Sequence, residues 1–204
     1  MTETQLSVDS YRVEPLGPGT WEAFAALAER HNGVWGGCWC TYFHCYPHPP
    51  ELAELGAREF KRQLVEQNRA HAALVFDGDE AVAWAEYGPV SELPNIHHRK
   101  EWEQGVERVP DFRITCLFVD RRYRRRGMAS VAVQGALELI AAAGGGLVES
   151  YPHDLVPGKK TSATFLYNAT RTMYERLGFT YLRPKGKGNC VMSRIVAPSS
   201  SPAS

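Results

Sequence analysis

The segment from Ile114 to Ile140 constrains this chain more than any other. An apolar run ends at Val119, five arginines fill six positions from Arg121 to Arg126, and Gly127 then opens an alanine-rich helical pattern. An apolar run that stops at a charged turn and resumes as a helix predicts a strand, an exposed bend and a helix start. A helix start leaves N–H groups unpaired and carries the positive end of the helix dipole. An anion placed there gains both hydrogen bonds and charge complementarity. Gly127 has no Cβ, so the backbone can approach such a guest and reach positive φ. Ala129 and Ser130 keep the first turn small, and Arg124, Arg125 and Arg126 add side-chain charge. The bend reads as an anion cradle, and a phosphorylated cofactor is its expected guest.

The flanking sequence predicts a mixed α/β chain. Tyr11–Pro15 is a short, partly alternating first edge strand. Thr20 stands where a cap would, ahead of a helix whose apolar face is Trp21, Phe24, Ala25, Leu27 and Ala28 and which ends near Gly33. Residues 34–50 are too rich in glycine, proline and aromatics for a regular element and read as a loop with a function. From Glu51 to Asn68 the apolar residues Leu52, Leu55, Phe60, Leu64 and Val65 recur at helical spacing, with Gly56 a weak point. His71–Phe76 and Ala81–Tyr87 flank the turn Asp77-Gly-Asp-Glu80 as a β-hairpin. Residues 88–111 are an insertion with a short helix between Asn95 and Gln104, after which Phe112–Val119 is the strand feeding the arginines.

Ser130–Ala143 is the next helix, stopped by three glycines, and Leu147–Tyr151 the next strand. Strand, helix and strand in that order imply parallel neighbours. A last helix is expected over Thr161–Leu177, followed by strands at Phe179–Leu182 and Asn189–Val196. The sum is a central mixed sheet of about six or seven strands flanked by helices, in the order β-α-α-β-β-β-α-β-α-β-β. One domain over residues 11–197 is expected, with loose tails at 1–10 and 198–204.

Two motifs carry a resemblance. Arg124-x-x-Gly127-x-Ala129 after the strand is similar to the pyrophosphate-binding motif of GNAT-superfamily N-acetyltransferases. Phe165-Leu-Tyr-Asn-Ala-Thr-Arg-Thr-Met-Tyr-Glu-Arg-Leu-Gly-Phe179 resembles that family's late helix ending in Tyr-Glu-x-Leu-Gly-Phe. The resemblance implies an acetyl-CoA-dependent enzyme that moves an acetyl group directly to a primary amine, with no acetyl-enzyme. It places the CoA pyrophosphate on the backbone of Arg124, Arg125, Arg126, Gly127, Met128, Ala129 and Ser130. The pantetheine arm lies along Leu117, Phe118 and Val119, between strands that splay apart, and an N–H near Leu117 or Phe118 polarises the thioester carbonyl. Tyr174 then stands where many members keep a tyrosine near the sulfur, as the acid for the leaving thiolate. The family's asparagine slot, seven residues before that tyrosine, holds Tyr167 here. Asn168 is one place late, which leaves its cofactor role in question.

For the base, Glu86 lies at the end of the hairpin beside Trp84 and Tyr87, a partly enclosed setting in which a carboxyl pKa rises. Glu149, His153, Asp111 and ordered water are alternatives. Trp35, Trp39, Tyr42, Phe43 and Tyr46 offer apolar and cation-binding faces for an amine-bearing acceptor. Cys38-x-Cys40-x3-His44-Cys45-x2-His48 holds thiolate and imidazole donors. Its spacing lacks two paired thiolate knuckles, so no metal is assigned, and a CoA-binding or zinc-binding regulatory module stands as the competing reading. Lys159, Lys160, Lys185 and Lys187 read as surface lysines within reach of a CoA 3′-phosphate.

Charge bounds the partners. Lys plus Arg and Asp plus Glu number 23 each, a formal net charge of zero, so no global field draws the molecule to nucleic acid. No apolar run approaches the length that crosses a bilayer, and no apolar signal core stands at the N-terminus. Five cysteines in such a chain argue for free thiols and a cytoplasmic setting. A small-molecule amine is the expected acceptor, and the resemblance leaves a homodimer open.

Overall fold

The computed structural model describes residues 11–155 and 167–199. Seven strands form one mixed sheet: β1 (Arg12–Pro15), β2 (His71–Asp77), β3 (Glu80–Pro89), β4 (Phe112–Val119), β5 (Gly146–Ser150), β6 (Thr180–Lys185) and β7 (Asn189–Val196). Their order across the sheet is β1-β2-β3-β4-β5-β7-β6. Neighbours are antiparallel except β4 and β5, which run parallel as the strand-helix-strand reading expects. The helices are α1 (Trp21–Glu29), α2 (Pro50–Glu66), α3 (Arg99–Gly105), α4 (Met128–Ala142) and α5 (Arg171–Arg176). The sheet and its flanking helices match the expected class.

Each face of the sheet carries its own core. Trp21, Phe24 and Leu27 of α1 and Phe60 and Leu64 of α2 pack with the 34–45 loop against Trp84, Cys116 and Phe118. Val133, Ala136, Leu137 and Ile140 of α4 pack with Tyr174 and Phe179 on Val75, Val82, Ile114 and Met192. The helical periodicity of both segments is therefore spent on burial against a sheet, which is what stabilises short helices.

The structure corrects some boundaries. Thr20 precedes α1, but its hydroxyl donates back to Pro15 O at 2.8 Å and accepts from Gly17 N–H, so it closes the preceding turn instead of capping the helix. Gly56 breaks the helical dihedrals of α2 at φ +74°, where the sequence marked a weak point. The final helix is short: Ala169 sits at φ +54°, and Thr170 caps α5 by accepting from Met173 N–H. The expected tail at 1–10, the start of that helix before residue 167, Lys159, Lys160 and the last five residues lie outside the described residues.

The feature that shapes the site lies in β4. Ala85 pairs with Leu117 and Tyr87 with Ile114, so two steps on β3 answer three on β4. One extra residue at Thr115–Cys116 makes a bulge, which bends and twists a strand locally. Pairing between β4 and β5 stops at Ile114 opposite Ser150. Beyond that point the two parallel strands share no ladder, and a split opens between them.

Candidate functional site

The cradle stands at the end of β4. Asp120 accepts from Arg122 N–H at 2.9 Å and closes a tight turn over Arg121–Tyr123. Arg122 is occupied there, with its guanidinium on Asp120 and Glu80. Gly127 is the residue before α4, at φ +80°, and a Cβ built on it would meet no atom within 4 Å. Ser130 and Val131 donate to Gly127 O, so Ser130 offers no free N–H, contrary to expectation. Among the described residues, the N–H groups of Arg125, Arg126, Gly127, Met128 and Ala129 take no backbone partner. Arg125 and Ala129 line a groove of about 310 Å³ together with Trp35, Leu117, Phe118, Val119, Arg124 and Ala169. Unpaired donors at the start of a fifteen-residue helix, beside exposed arginines and an empty Cβ direction, fit a diphosphate.

The groove runs along the end of β4 at Leu117, Phe118 and Val119, past the last pair with β5. Strand alternation turns Asp120 N–H to Val82 O on β3, and Phe118 lies opposite Trp84, so its N–H faces the β3 ladder and not the gap. Leu117 faces the gap, where its N–H donates to Tyr167 O at 2.7 Å. The chain's own carbonyl thus sits where the resemblance puts an acyl oxygen. Tyr174 is fully buried on the other side of the split, near Ser150, and its hydroxyl finds no hydrogen-bond partner at bonding geometry. Burial raises its pKa well above the phenol range, so it keeps its proton. Asn168 is buried too: its Nδ2 donates to Tyr151 O at 3.2 Å and its Oδ1 is unpartnered. The Tyr174 hydroxyl and Asn168 Oδ1 are thus buried without a well-formed hydrogen bond, where buried polar groups are usually paired.

Glu86 behaves opposite to expectation. It is buried under the 34–45 loop and does not stand open to a cleft: Oε1 lies 2.6 Å from Lys61 Nζ, and Oε2 accepts from Thr115 Oγ1 at 2.8 Å. Lys61 spends its three N–H donors on Glu86, on His44 Nε2 at 2.9 Å and on Cys40 O at 3.3 Å. His44 Nδ1 faces Glu92 O at 2.9 Å and must donate to it, which leaves the Nε2 lone pair for Lys61. Burial and the Lys61 charge both lower the His44 pKa, in keeping with a neutral ring. Burial alone pushes the Glu86 carboxyl up, but the charge and hydrogen bond of Lys61 outweigh it, and the group is held at about 2. Glu86 is a locked carboxylate that fastens the loop to β3.

The alternatives for a base are engaged as well. Glu149 Oε2 accepts from Trp102 Nε1 and Tyr151 OH, Asp111 Oδ2 from Leu147 N–H, and the His153 ring meets Tyr167 edge-on.

The loop itself is unusual. Asn32, Val34, Trp35, Trp39 and Cys40 all have positive φ, a region that costs a non-glycine residue about 1–3 kcal/mol and gathers at ligand clamps. Its tip lines a second hollow of about 360 Å³ with Trp35, Cys38, Cys40, Tyr42, Phe43, His97, Cys116 and Tyr167. Trp35 borders both hollows, and its buried Nε1–H has no partner. Trp39 and Tyr46 do not join the pocket: Trp39 stacks on Trp21 and Tyr46 lies exposed under Arg99. A further hollow of about 400 Å³ opens beyond His44 and Phe60 but includes no residue of β4 or α4.

The loop thiols and imidazole point apart. Cys40 Sγ lies 2.7 Å from Cys116 Sγ, Cys45 donates to Thr41 O, and His44 belongs to the Lys61 cluster. Among the described residues no group of three or more His, Cys, Asp or Glu could hold a metal ion. No described helix is long and apolar enough to cross a membrane.

Three residues of the site escaped sequence reasoning. Lys61 shares the apolar face of α2 with Leu64 and Val65, three and four residues on, so helical spacing carried the signal. Lys185, taken for a surface lysine, is buried: its ammonium donates to His97 O and lies over the Tyr151 ring, and burial lowers its pKa to about 8. His97, in the insertion, had no local signal at all.

A family model described as acetyltransferase (GNAT) family matches residues 33–153. A solved structure assigned as a GNAT-family acetyltransferase from Desulfovibrio desulfuricans aligns over 92% of this chain and 99% of that one, with 15% identity and a TM-score of 0.51. Another, described as histone acetyltransferase HPA2 and related acetyltransferase from Corynebacterium glutamicum, aligns over 95% and 99% with 18% identity and a TM-score of 0.52. At these identities the likeness is one of fold. No curated protein matches the chain.

Proposed function

The chain belongs to the GNAT acetyltransferase family, and from that premise we propose that it moves the acetyl group of acetyl-CoA directly to the primary amine of a small molecule. The observation that carries the reading is the row of unpaired N–H groups from Arg125 to Ala129, whose two end residues line a groove that runs along β4 past its last pair with β5. In this reading the N–H groups hold the pyrophosphate, and Arg124 and Arg125 add charge at its rim. Leu117 N–H, now on Tyr167 O, exchanges that carbonyl for the acyl oxygen and polarises it. Tyr174, kept protonated by burial, gives its proton to the departing thiolate. A compact hollow of about 360 Å³, at the small end of the roughly 300–1,000 Å³ range of ligand sites, supports a small acceptor.

Calorimetric titration with acetyl-CoA, followed by free-thiol release over a panel of amines, tests the reading. Micromolar binding and amine-dependent release are expected; binding without release from any amine would favour a regulatory CoA-binding module. Tyr174→Phe separates the acid from a core aromatic. Removing an unpartnered buried hydroxyl leaves stability unchanged or improved, while kcat falls by about tenfold to a hundredfold at unchanged acetyl-CoA affinity. An unchanged kcat would return Tyr174 to the core.

A further inference from the structure

Resting on the reading above, we propose that the hollow beside Cys116 takes a primary amine carried on a flat apolar body, with His97 as the base that receives the amine proton. The lining decides the class. Trp35, Tyr42, Phe43, Tyr167 and His97 are aromatic, Cys38, Cys40 and Cys116 are thiols, and among the described residues no carboxylate or lysine stands in the lining. The rings meet in several orientations: Trp35 edge-on to Tyr167 at 6.1 Å, Tyr42 edge-on to Phe43 at 5.1 Å, and His97 stacked on Tyr42 at 4.6 Å. Such a box binds a ring or a single cation by its faces. It offers nothing to a second or third positive charge, so a polyamine would leave charges desolvated and unpaired.

Among the described lining residues, His97 is the group that can change charge near neutrality. Its Nδ1 lies 3.1 Å from Tyr42 OH, and its carbonyl is held by Lys185. When Nδ1–H donates to Tyr42, Nε2 keeps the lone pair that a base needs, the arrangement by which one ring nitrogen orients the other. Partial desolvation against the aromatic lining lowers its pKa, helped by the neighbouring charges of Lys185, His98 and His153, in keeping with a neutral ring able to accept at pH 7. Glu86, the carboxylate expected to do this, is locked away on Lys61. The step balances without another reactant. The amine nitrogen bonds the acyl carbon, the C–S bond breaks, the ammonium proton goes to His97 and on to solvent, the thiolate takes one from Tyr174, and a solvent proton returns to the tyrosinate once the thiol has left, so both side chains end the cycle as they began it.

The test compares 2-phenylethylamine, spermidine and a dipeptide amine as acceptors, reading thiol release at saturating acetyl-CoA. A kcat/KM at least tenfold higher for 2-phenylethylamine is expected; preference for spermidine or the peptide would overturn the acceptor class. His97→Gln, on an exposed segment, should keep the melting temperature and the acetyl-CoA affinity. It should lower kcat about a hundredfold with KM for the amine changed less than threefold. The wild-type rate should fall with acid along a limb below the usual imidazole range, and the variant should lose that limb. A variant that retains both rate and limb removes His97 from the chemistry. Failure of acetyl-CoA to bind at all would sink the proposed function and this inference together, whereas binding with another amine preferred sinks only this one.

Discussion

The arginine turn and the 32–45 loop both use left-handed backbone, for opposite ends. In the turn, Arg125 and Gly127 take positive φ and leave a row of N–H groups unpaired. In the loop, five non-glycine residues do so between Asn32 and Cys40, and the tip is tied down from elsewhere: Lys61 on Cys40 O, Asn95 on Tyr42 O, Cys116 against Cys40. The turn keeps donors free for a guest and is made by one stretch of chain. The loop's shape depends on residues tens of positions away. In the proposed function the first device serves the cofactor and the second the acceptor.

The largest way to break that contrast is to cut the loop's anchor. Lys61→Met leaves the Glu86 carboxylate buried and unpaired, and such breakage of a buried pair costs about 3–5 kcal/mol. Denaturant unfolding measures it, and a loss below about 1 kcal/mol would mean that the pair is no anchor. pH gives a second readout of the same group. Its folded pKa, about 2, lies below its ordinary value, so its stabilising contribution is complete above the glutamate range and is lost as pH falls from there through 2. Glu86→Gln should flatten this acid limb of the stability curve. An unchanged limb would assign it to other carboxylates.

Next in size is the turn. Gly127→Trp puts a ring where a Cβ meets nothing, in the space assigned to the pyrophosphate. Acetyl-CoA affinity should fall at least about a hundredfold, or roughly 2.7 kcal/mol. The left-handed φ adds only about 1–2 kcal/mol of strain to the fold. Calorimetry reads the first and thermal melting the second; near-normal affinity in a folded variant would remove the cradle from cofactor binding.

Legibility in the sequence followed the same division. Alternating or continuous apolar runs marked all seven strands within a few residues, because period and burial coincide wherever a strand lies inside a sheet. The cradle was legible because strand, glycine and helix start are consecutive in the chain. Glu86 was placed on the right strand and given the wrong electrostatics, since its carboxyl is governed by Lys61, a residue distant in sequence. The bulge at Thr115–Cys116, which turns Leu117 toward the gap, has no glycine to announce it and emerges only from the register against β3. His97 reaches the pocket through the fold of an irregular insertion, and Lys185 is buried by strand pairing at the far edge of the sheet.

The smallest expected effect separates two neighbours in the arginine run. Arg124 lines the groove, whereas Arg122 is spent on Asp120 and Glu80, so charge count alone does not rank them. Arg124→Ala should weaken acetyl-CoA binding by about threefold to fivefold, the worth of an exposed ionic contact below about 1 kcal/mol. The loss should shrink at 0.5 M salt as screening shortens the reach of the charge. Arg122→Ala should leave affinity unchanged and instead free the Asp120 carboxylate, which its guanidinium and backbone N–H help hold well below the usual range against the cost of burial. If both variants weaken binding equally, the run acts as a diffuse field. If Arg124 alone does, the cradle has a defined rim, and its arginines divide between holding the turn and meeting the guest.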